Sequence, residues 1–333
     1  MEQKRKNSPR SSALLVLTAF IWGVAFVAQS EGMNYVGGFT FIGVRYLLGG
    51  LTLVPVLFFM KRKESQSRQK EKGRRSGTES VAAGAPDGAD RQTIQGTRGQ
   101  GQSGWLSQRT RTGIIGGICC GLCLVTASSL QQFGIAETTV GKAGFITALY
   151  IVLVPLLGVF LHRRVGMHVW VSVGLAVVGM YLLCITEGFS MGRGDFLVFL
   201  CAIGFTFHIL VIDYFSPRAD GVLISCVQFF TAGVVGTILM FVLETPTLDG
   251  IWAAWLPIAY AGIMSSGVAY TLQIIAQKNL DPTIACLIMS LESVFSLLAG
   301  WVLLGQVLSL REMAGCVLVF AAIILAQLPG KKE

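Results

Sequence analysis

Apolar residues fall along this chain in blocks of about 20, the length that crosses a hydrocarbon core as a helix. Ten such blocks are predicted, at 12–30, 39–60, 113–133, 138–161, 165–186, 194–213, 222–243, 253–276, 282–304 and 310–328. Turn residues punctuate them, among them Gly37-Gly38, Gly192-Arg193-Gly194, Ser216-Pro217 and Asp281-Pro282. The fourth and fifth blocks join tightly through His162, Arg163 and Arg164. One helix of about 50 residues would overrun any bilayer, so they count as two. Lys4, Arg5, Lys6 and Arg10 precede the first block like the start of a signal peptide. The block is too long for an h-region, and Phe26 and Ala28 make a poor cleavage site, so it reads as an uncleaved first span.

The pattern repeats. Laying Ala127–Val165 over Ala269–Val307 without a gap gives 11 identities in 39 pairs, among them Leu130/Leu272, Gln131/Gln273, Ala143/Ala285, Ile146/Ile288 and Gly158/Gly300. An apolar composition gives about four by chance. Ten spans split into two fives, and an odd number per unit turns the second copy upside down. The expected fold is therefore an all-α membrane protein, ten transmembrane helices as two inverted five-helix repeats. The first repeat occupies 1–186, the second 194–328, and 329–333 forms a cytoplasmic tail. Inverted repeats of this kind build alternating-access transporters with a site near the midplane.

Charge sets the expected orientation. Of 26 Lys and Arg, 22 fall on one side: the amino end, the 61–112 loop, Arg163-Arg164, Arg218, Lys278 and Lys331-Lys332. Lys142, Arg193 and Arg311 fall opposite, and Arg45 lies inside the second block. The positive-inside rule makes the richer side cytoplasmic, with both termini there. The basic cytoplasmic loop 62–112 is rich in Gly, Ser, Gln, Arg and Thr and nearly free of large apolar residues. It cannot bury enough apolar surface to offset ordering entropy and is expected to be disordered. A tolerated insertion is the favoured reading over attachment to anionic headgroups.

Composition agrees with a membrane chain: 53% hydrophobic, 13% charged, mean hydropathy +0.65. The formal charge of +8 does not point to nucleic acid, because the basic residues lie in loops. All eight Cys fall inside apolar blocks and read as packing residues. Cys120-x-x-Cys123 lacks a His or a second such pair at ligand spacing.

An ionisable side chain costs about 2.5–3.5 kcal/mol at a span's centre, so each one needs a reason. Glu292, in the middle of the ninth block, has no cation among its helical neighbours, and suits a coupled proton or a substrate amine. Glueing helices by hydrogen bonds is the bland alternative. Tyr150 is its repeat mate and should face the same central space. Arg45 snorkels, anchors a helix, or faces an anionic solute. His208, near mid-span, titrates or packs. Gln131 and Gln273 are mates near opposite faces, suited to lining or gating; Gln132 and Gln277 are close by. Trp22 and Trp301 sit in span bodies, where they line a cavity or pack the core. Small residues such as Gly113, Gly116, Gly117 and Gly121 let helices approach closely.

Four short runs stand in order along the chain: Ala19–Phe26, Arg45-Tyr46-Leu47-Leu48, Leu291-Glu292 and Gly300–Gly305. They resemble, in turn, the "IWG.xF" opening, "RF.LA", "LEP" and "GWLFLGE" of the EamA-like drug/metabolite transporters. The sequence departs at Ser293, where the family usually has Pro, and at Gln306, where it has Glu; the first departure removes an expected kink. The resemblance implies a secondary transporter of small organic solutes, often outward. An exporter of amino acids or related metabolites is the favoured reading, with a lipid-linked or nucleotide-sugar carrier of the same superfamily as the alternative. No P-loop, HExxH or GxSxG pattern suggests ATP-driven pumping or an enzyme. No cofactor or metal is expected. The expected partners are a small-molecule substrate and membrane lipids, with a homodimer left open.

Single-Cys labels at Gly37 and Gly250 should react with an impermeant reagent from outside intact cells. Labels at Ser107 and Lys331 should not. Outside labelling at Ser107 would overturn the orientation.

Overall fold

A computed structural model describes residues 9–82, 101–138, 140–160, 166–184, 192–304 and 309–327. Among them every regular element is a helix. The first five are α1 (Pro9–Gly32), α2 (Gly38–Ala82), α3 (Gly101–Glu137), α4 (Val140–Thr147) and α5 (Tyr150–Phe160). Next come α6 (Met167–Cys184), α7 (Arg193–Phe215), α8 (Gly221–Leu243), α9 (Leu248–Ala253) and α10 (Trp255–Ala259). A π-helical segment (Tyr260–Tyr270) follows, then α11 (Thr271–Gln277), α12 (Pro282–Met289), α13 (Leu291–Leu304) and α14 (Leu310–Gln327).

Among the described residues eight spans are long and apolar enough to cross a membrane: 9–32, 38–60, 108–137, 143–160, 193–215, 221–243, 255–277 and 282–303. Two of the ten expected spans correspond to shorter apolar stretches, Val169–Gly179 in α6 and Met313–Leu325 in α14. These two helices pack along each other. The polarity is inside out. Phe20, Leu51, Phe58 and Phe59 are exposed, while Gln29, Arg45, Gln132, Gln228 and Glu292 are buried. Apolar surface facing outward costs nothing in lipid, whereas polar groups there would lose their partners.

The loop expectation needs amendment. Helix α2 continues past its apolar part to Ala82, and α3 begins at Gly101, well before its own. The run Lys61–Arg75 is rich in Lys, Arg, Glu and Gln, residues of high helix propensity. Residues 83–100 of that loop, the 329–333 tail, Gln306 and the Arg163-Arg164 pair lie outside the described residues.

Three of the described spans, numbered by their place among the ten expected, are not continuous α-helix. The fourth breaks at Ala148-Leu149, where Leu149 N–H bonds back to the Ile146 carbonyl and Ile151 N–H to that of Ala148. The ninth breaks at Ser290: Ser293 N–H reaches the Ser290 carbonyl, and the Ser290 hydroxyl takes that of Leu287. Three-residue hydrogen bonds tighten the backbone at both places. The interruption therefore exists although Ser293 replaces the expected proline. The Ser293 hydroxyl also donates to the Gly144 carbonyl of α4 (3.1 Å), tying the two broken spans where they cross. In the eighth span, the wider π turn lets Ser266 Oγ bond the Ala261 carbonyl (2.8 Å).

Close packing fixes the ends. At one end, the Glu244 carboxylate after α8 accepts from Phe39 N–H (2.8 Å), Thr40 N–H (2.8 Å) and Thr40 Oγ1 (2.6 Å). It thus caps the positive N-terminus of α2. At the other end Asp220 caps α8 through Val222 and Leu223 N–H. Gly23 brings α1 onto α13: a Cβ there would lie 2.4 Å from that of Phe295.

Glu244→Ala removes three hydrogen bonds and leaves the start of α2 uncapped. It should destabilise the fold by about 1–2 kcal/mol. Thermal unfolding in detergent should show the loss, and an unchanged midpoint would refute the clasp.

Candidate functional site

The two tightened breaks put Tyr150 at the first position of α5 and Glu292 in the first turn of α13. Their side chains meet: Tyr150 Oη donates to Glu292 Oε1 at 2.8 Å, across 142 positions of sequence. Glu292 is 4% exposed, and no described cation makes an ion pair with it. The first turn of a half-helix, with its free N–H groups, is a favourable place for a carboxylate.

This pair lines a cavity of about 40 Å³. Seven of the residues singled out from the sequence line it: Trp22, Arg45, Gln131, Tyr150, His208, Gln273 and Glu292. Trp301 does not; it is half exposed on the outer surface. Neither Gln132 nor Gln277 is in the lining.

Arg45 is 3% exposed, so it does not snorkel. One terminal nitrogen donates to Gln29 Oε1 (2.7 Å) and the other to Tyr46 Oη (3.0 Å). The guanidinium lies 4.6 Å from the Tyr46 ring centre and 5.5 Å from that of Phe41. Such ring faces stabilise a cation that has left water. Tyr46 in turn bonds the Ser128 hydroxyl of α3. Gln131 donates to Thr147 Oγ1 (3.2 Å) and Gln132 to the Gln29 carbonyl (3.1 Å). His208 shares a hydrogen bond with Gln228 (3.1 Å) and meets Phe205 and Tyr270 edge-on. Trp22 lies against Tyr270, ring centres 4.6 Å apart.

Four lining atoms have no partner among the described residues: Trp22 Nε1, Arg45 Nε, His208 Nδ1 and Gln273 Oε1. A buried polar atom left so is costly, about 1–3 kcal/mol, unless water or a ligand satisfies it. The site thus offers a guanidinium, a carboxyl, indole and imidazole nitrogens and an amide oxygen around one space. Among the described residues no group of His, Cys, Asp and Glu could hold a metal.

Sequence reasoning missed Gln29, Thr147, Phe205, Ser265 and Tyr270, which also line the cavity. Ser265 and Tyr270 are five residues apart, a spacing that only the π turn turns to one side. Gln29 carried a signal, being a polar residue in the last turn of an apolar span. Phe205 carried none.

Comparison with known proteins adds the following. The model of the EamA-like transporter family matches residues 10–74 and 192–328. An "Uncharacterized transporter" of Archaeoglobus fulgidus is 29% identical over 213 residues, 64% of this chain and 68% of that protein. Another "Uncharacterized transporter", of Methanothermobacter thermautotrophicus, is 26% identical over 215 residues, 61% of this chain and 62% of that protein. The chain thus spans a little under two thirds of this second relative's length. A solved crystal structure shares the fold, with a TM-score of 0.66 and 16% identity, covering 96% of this chain and 97% of the other.

The Tyr150–Glu292 contact can be measured as a coupling. Tyr150→Phe and Glu292→Leu, singly and together, should give a double-mutant interaction of about 1–2 kcal/mol in detergent unfolding. Strict additivity would show that the two side chains do not meet.

Proposed function

Because the chain belongs to the EamA-like transporter family, we propose that this multi-pass membrane protein carries small organic solutes across the cytoplasmic membrane by alternating access, as a secondary transporter. Its preferred cargo is an amino acid or a related metabolite, moved outward. The observation that carries the reading is one cavity holding a carboxyl and a guanidinium, each buried and neither ion-paired among the described residues. A zwitterionic solute answers both, its amine to Glu292 and its carboxylate to Arg45 Nε, which is already without a partner. Trp22, His208 and Gln273 add hydrogen-bonding groups, and Gln131 and Tyr150 complete the polar wall. A nucleotide-sugar carrier is less favoured: Arg45 is the one guanidinium or ammonium group among the lining residues, too little positive charge for a diphosphate.

Helix boundaries support two five-helix units. Helices α4 and α12 are each eight residues long and start 142 positions apart, at Val140 and Pro282. Helices α6 and α14 are each 18 residues long. Helices α2 and α8 both begin at a glycine, Gly38 and Gly221. Counting α6 and α14 as spans gives ten, with the second unit inverted, as the repeat requires. The weight of Lys and Arg then puts the Glu244 end outside and the Asp220 end, with both termini, in the cytoplasm.

Alternating access requires something that changes between states, and Glu292 is suited to it as proton or amine acceptor. Glu292→Gln keeps the shape and the hydrogen bond from Tyr150 but removes the charge. In sealed vesicles tested with a panel of amino acids and related metabolites, it should insert normally and transport at least ten-fold more slowly. The residual rate should ignore an imposed pH gradient, and Glu292→Asp should retain part of the activity. Full-rate, pH-dependent transport by the Gln variant would rule out this role. Absence of flux for every solute in the wild type would refute the substrate class.

A further inference from the structure

The cavity is built largely from pairs of equivalent positions, and the residues left over show which way it leans. Tyr150 pairs with Glu292, Gln131 with Gln273 and Thr147 with Met289, each 142 apart. The helices before the insertion pair at a different offset: Gly38 and Gly221, which start α2 and α8, are 183 apart. At that offset Trp22 answers Phe205, Ala25 answers His208 and Phe26 answers Ile209, and all six line the cavity. Gln29 and Arg45 also line it, but their equivalents, Ile212 and Gln228, do not. Gln29 lies near the last turn of α1 and Arg45 two turns into α2, both toward the Glu244 end. Ile212 and Gln228 lie toward the Asp220 end and are 0% exposed. The cavity therefore reaches toward the Glu244 end and is shut toward the other.

The shut side is not filled with apolar residues alone. Gln228 Nε2, Ser225 Oγ and Thr271 Oγ1 are buried there with no partner among the described residues, and so is His208 Nδ1 at the cavity's edge. Packed apolar side chains would close this region without that cost. Polar atoms sealed without partners fit a region that is wetted in another state.

We propose that Gln228 and Ser225, with His208 at their border, form a second polar subsite, which the solute meets when the cavity opens toward the Asp220 end. It rests on the alternating-access reading above. Gln228 takes there the place that Arg45 takes here. The subsite holds the solute's carboxylate or other polar end by neutral hydrogen bonds, where the Glu244-facing state holds it with a guanidinium. The anionic end is thus gripped by charge on one side of the membrane and released from it on the other.

The test is side-specific labelling with a charged, impermeant thiol reagent, the labelled residue being located by peptide mass mapping because eight native Cys are present. Gln228→Cys and the nearly isosteric Ser225→Cys should react from the Asp220 side at least ten-fold faster than Ala232→Cys, a buried control one turn further along α8. In a double variant with Gln29→Cys, prior labelling at position 228 should slow reaction at position 29 from the Glu244 side by at least five-fold. If positions 228 and 225 both react no faster than the control, the subsite is overturned, while solute flux remains the separate judge of transport. If position 228 reacts but position 29 is not slowed, both ends are open together; alternating access then fails, and this inference with it.

Discussion

A carboxyl group in the middle of a membrane span has nowhere to send its charge, and the rest of this architecture is arranged around Glu292. No cation pairs with it among the described residues; its stated partner is the Tyr150 hydroxyl, 2.8 Å away. That contact requires two backbone interruptions, at Ala148-Leu149 and at Ser290, each placing one of the pair at the start of a half-helix. A continuous α-helix through either break would turn the following residues to a different face. The Ser293 to Gly144 hydrogen bond locks the crossing, and the close approach of α1 over Gly23 walls it in.

Arg45 meets the same constraint differently. Two neutral oxygens and two aromatic faces stabilise the cation without neutralising it. A direct Arg–Glu pair would have been the simpler way to bury both charges, but it would have filled the cavity's polar demand from within. Keeping the two apart, each served by neutral partners, leaves both without a counter-ion among the described residues, the feature on which the proposed zwitterionic cargo rests. The orphaned nitrogens of Trp22 and His208 and the oxygen of Gln273 extend the same logic to hydrogen bonds.

The lipid-facing surface carries little of this information. Large apolar side chains cover it, and the helices meet through small residues, as hydrocarbon surroundings demand. The long, strongly basic extension of α2 follows another rule again, since its residues are good helix formers by intrinsic propensity.

Hydropathy alone determined that the chain crosses a membrane many times, because the length and apolarity of a span are local properties. The internal repeat, a comparison of the chain with itself, made Tyr150 the partner of Glu292 before any coordinates, and polarity inside apolar blocks picked out seven residues of the cavity wall. Local signals could not decide where spans are interrupted: the ninth breaks without the proline that would have announced it, since serine hydroxyls and three-residue hydrogen bonds do the same work. Nor could they reveal the π turn that swings Ser265 and Tyr270 together, or the second offset that pairs Trp22 with Phe205 and Arg45 with Gln228. Those pairs share no residue type, so no comparison of letters finds them; only the matching helix starts at Gly38 and Gly221 make the two positions equivalent. Whether Arg45 snorkelled or was buried was likewise settled by its neighbours in space, Gln29 from α1 and the adjacent Tyr46 held by Ser128 of α3.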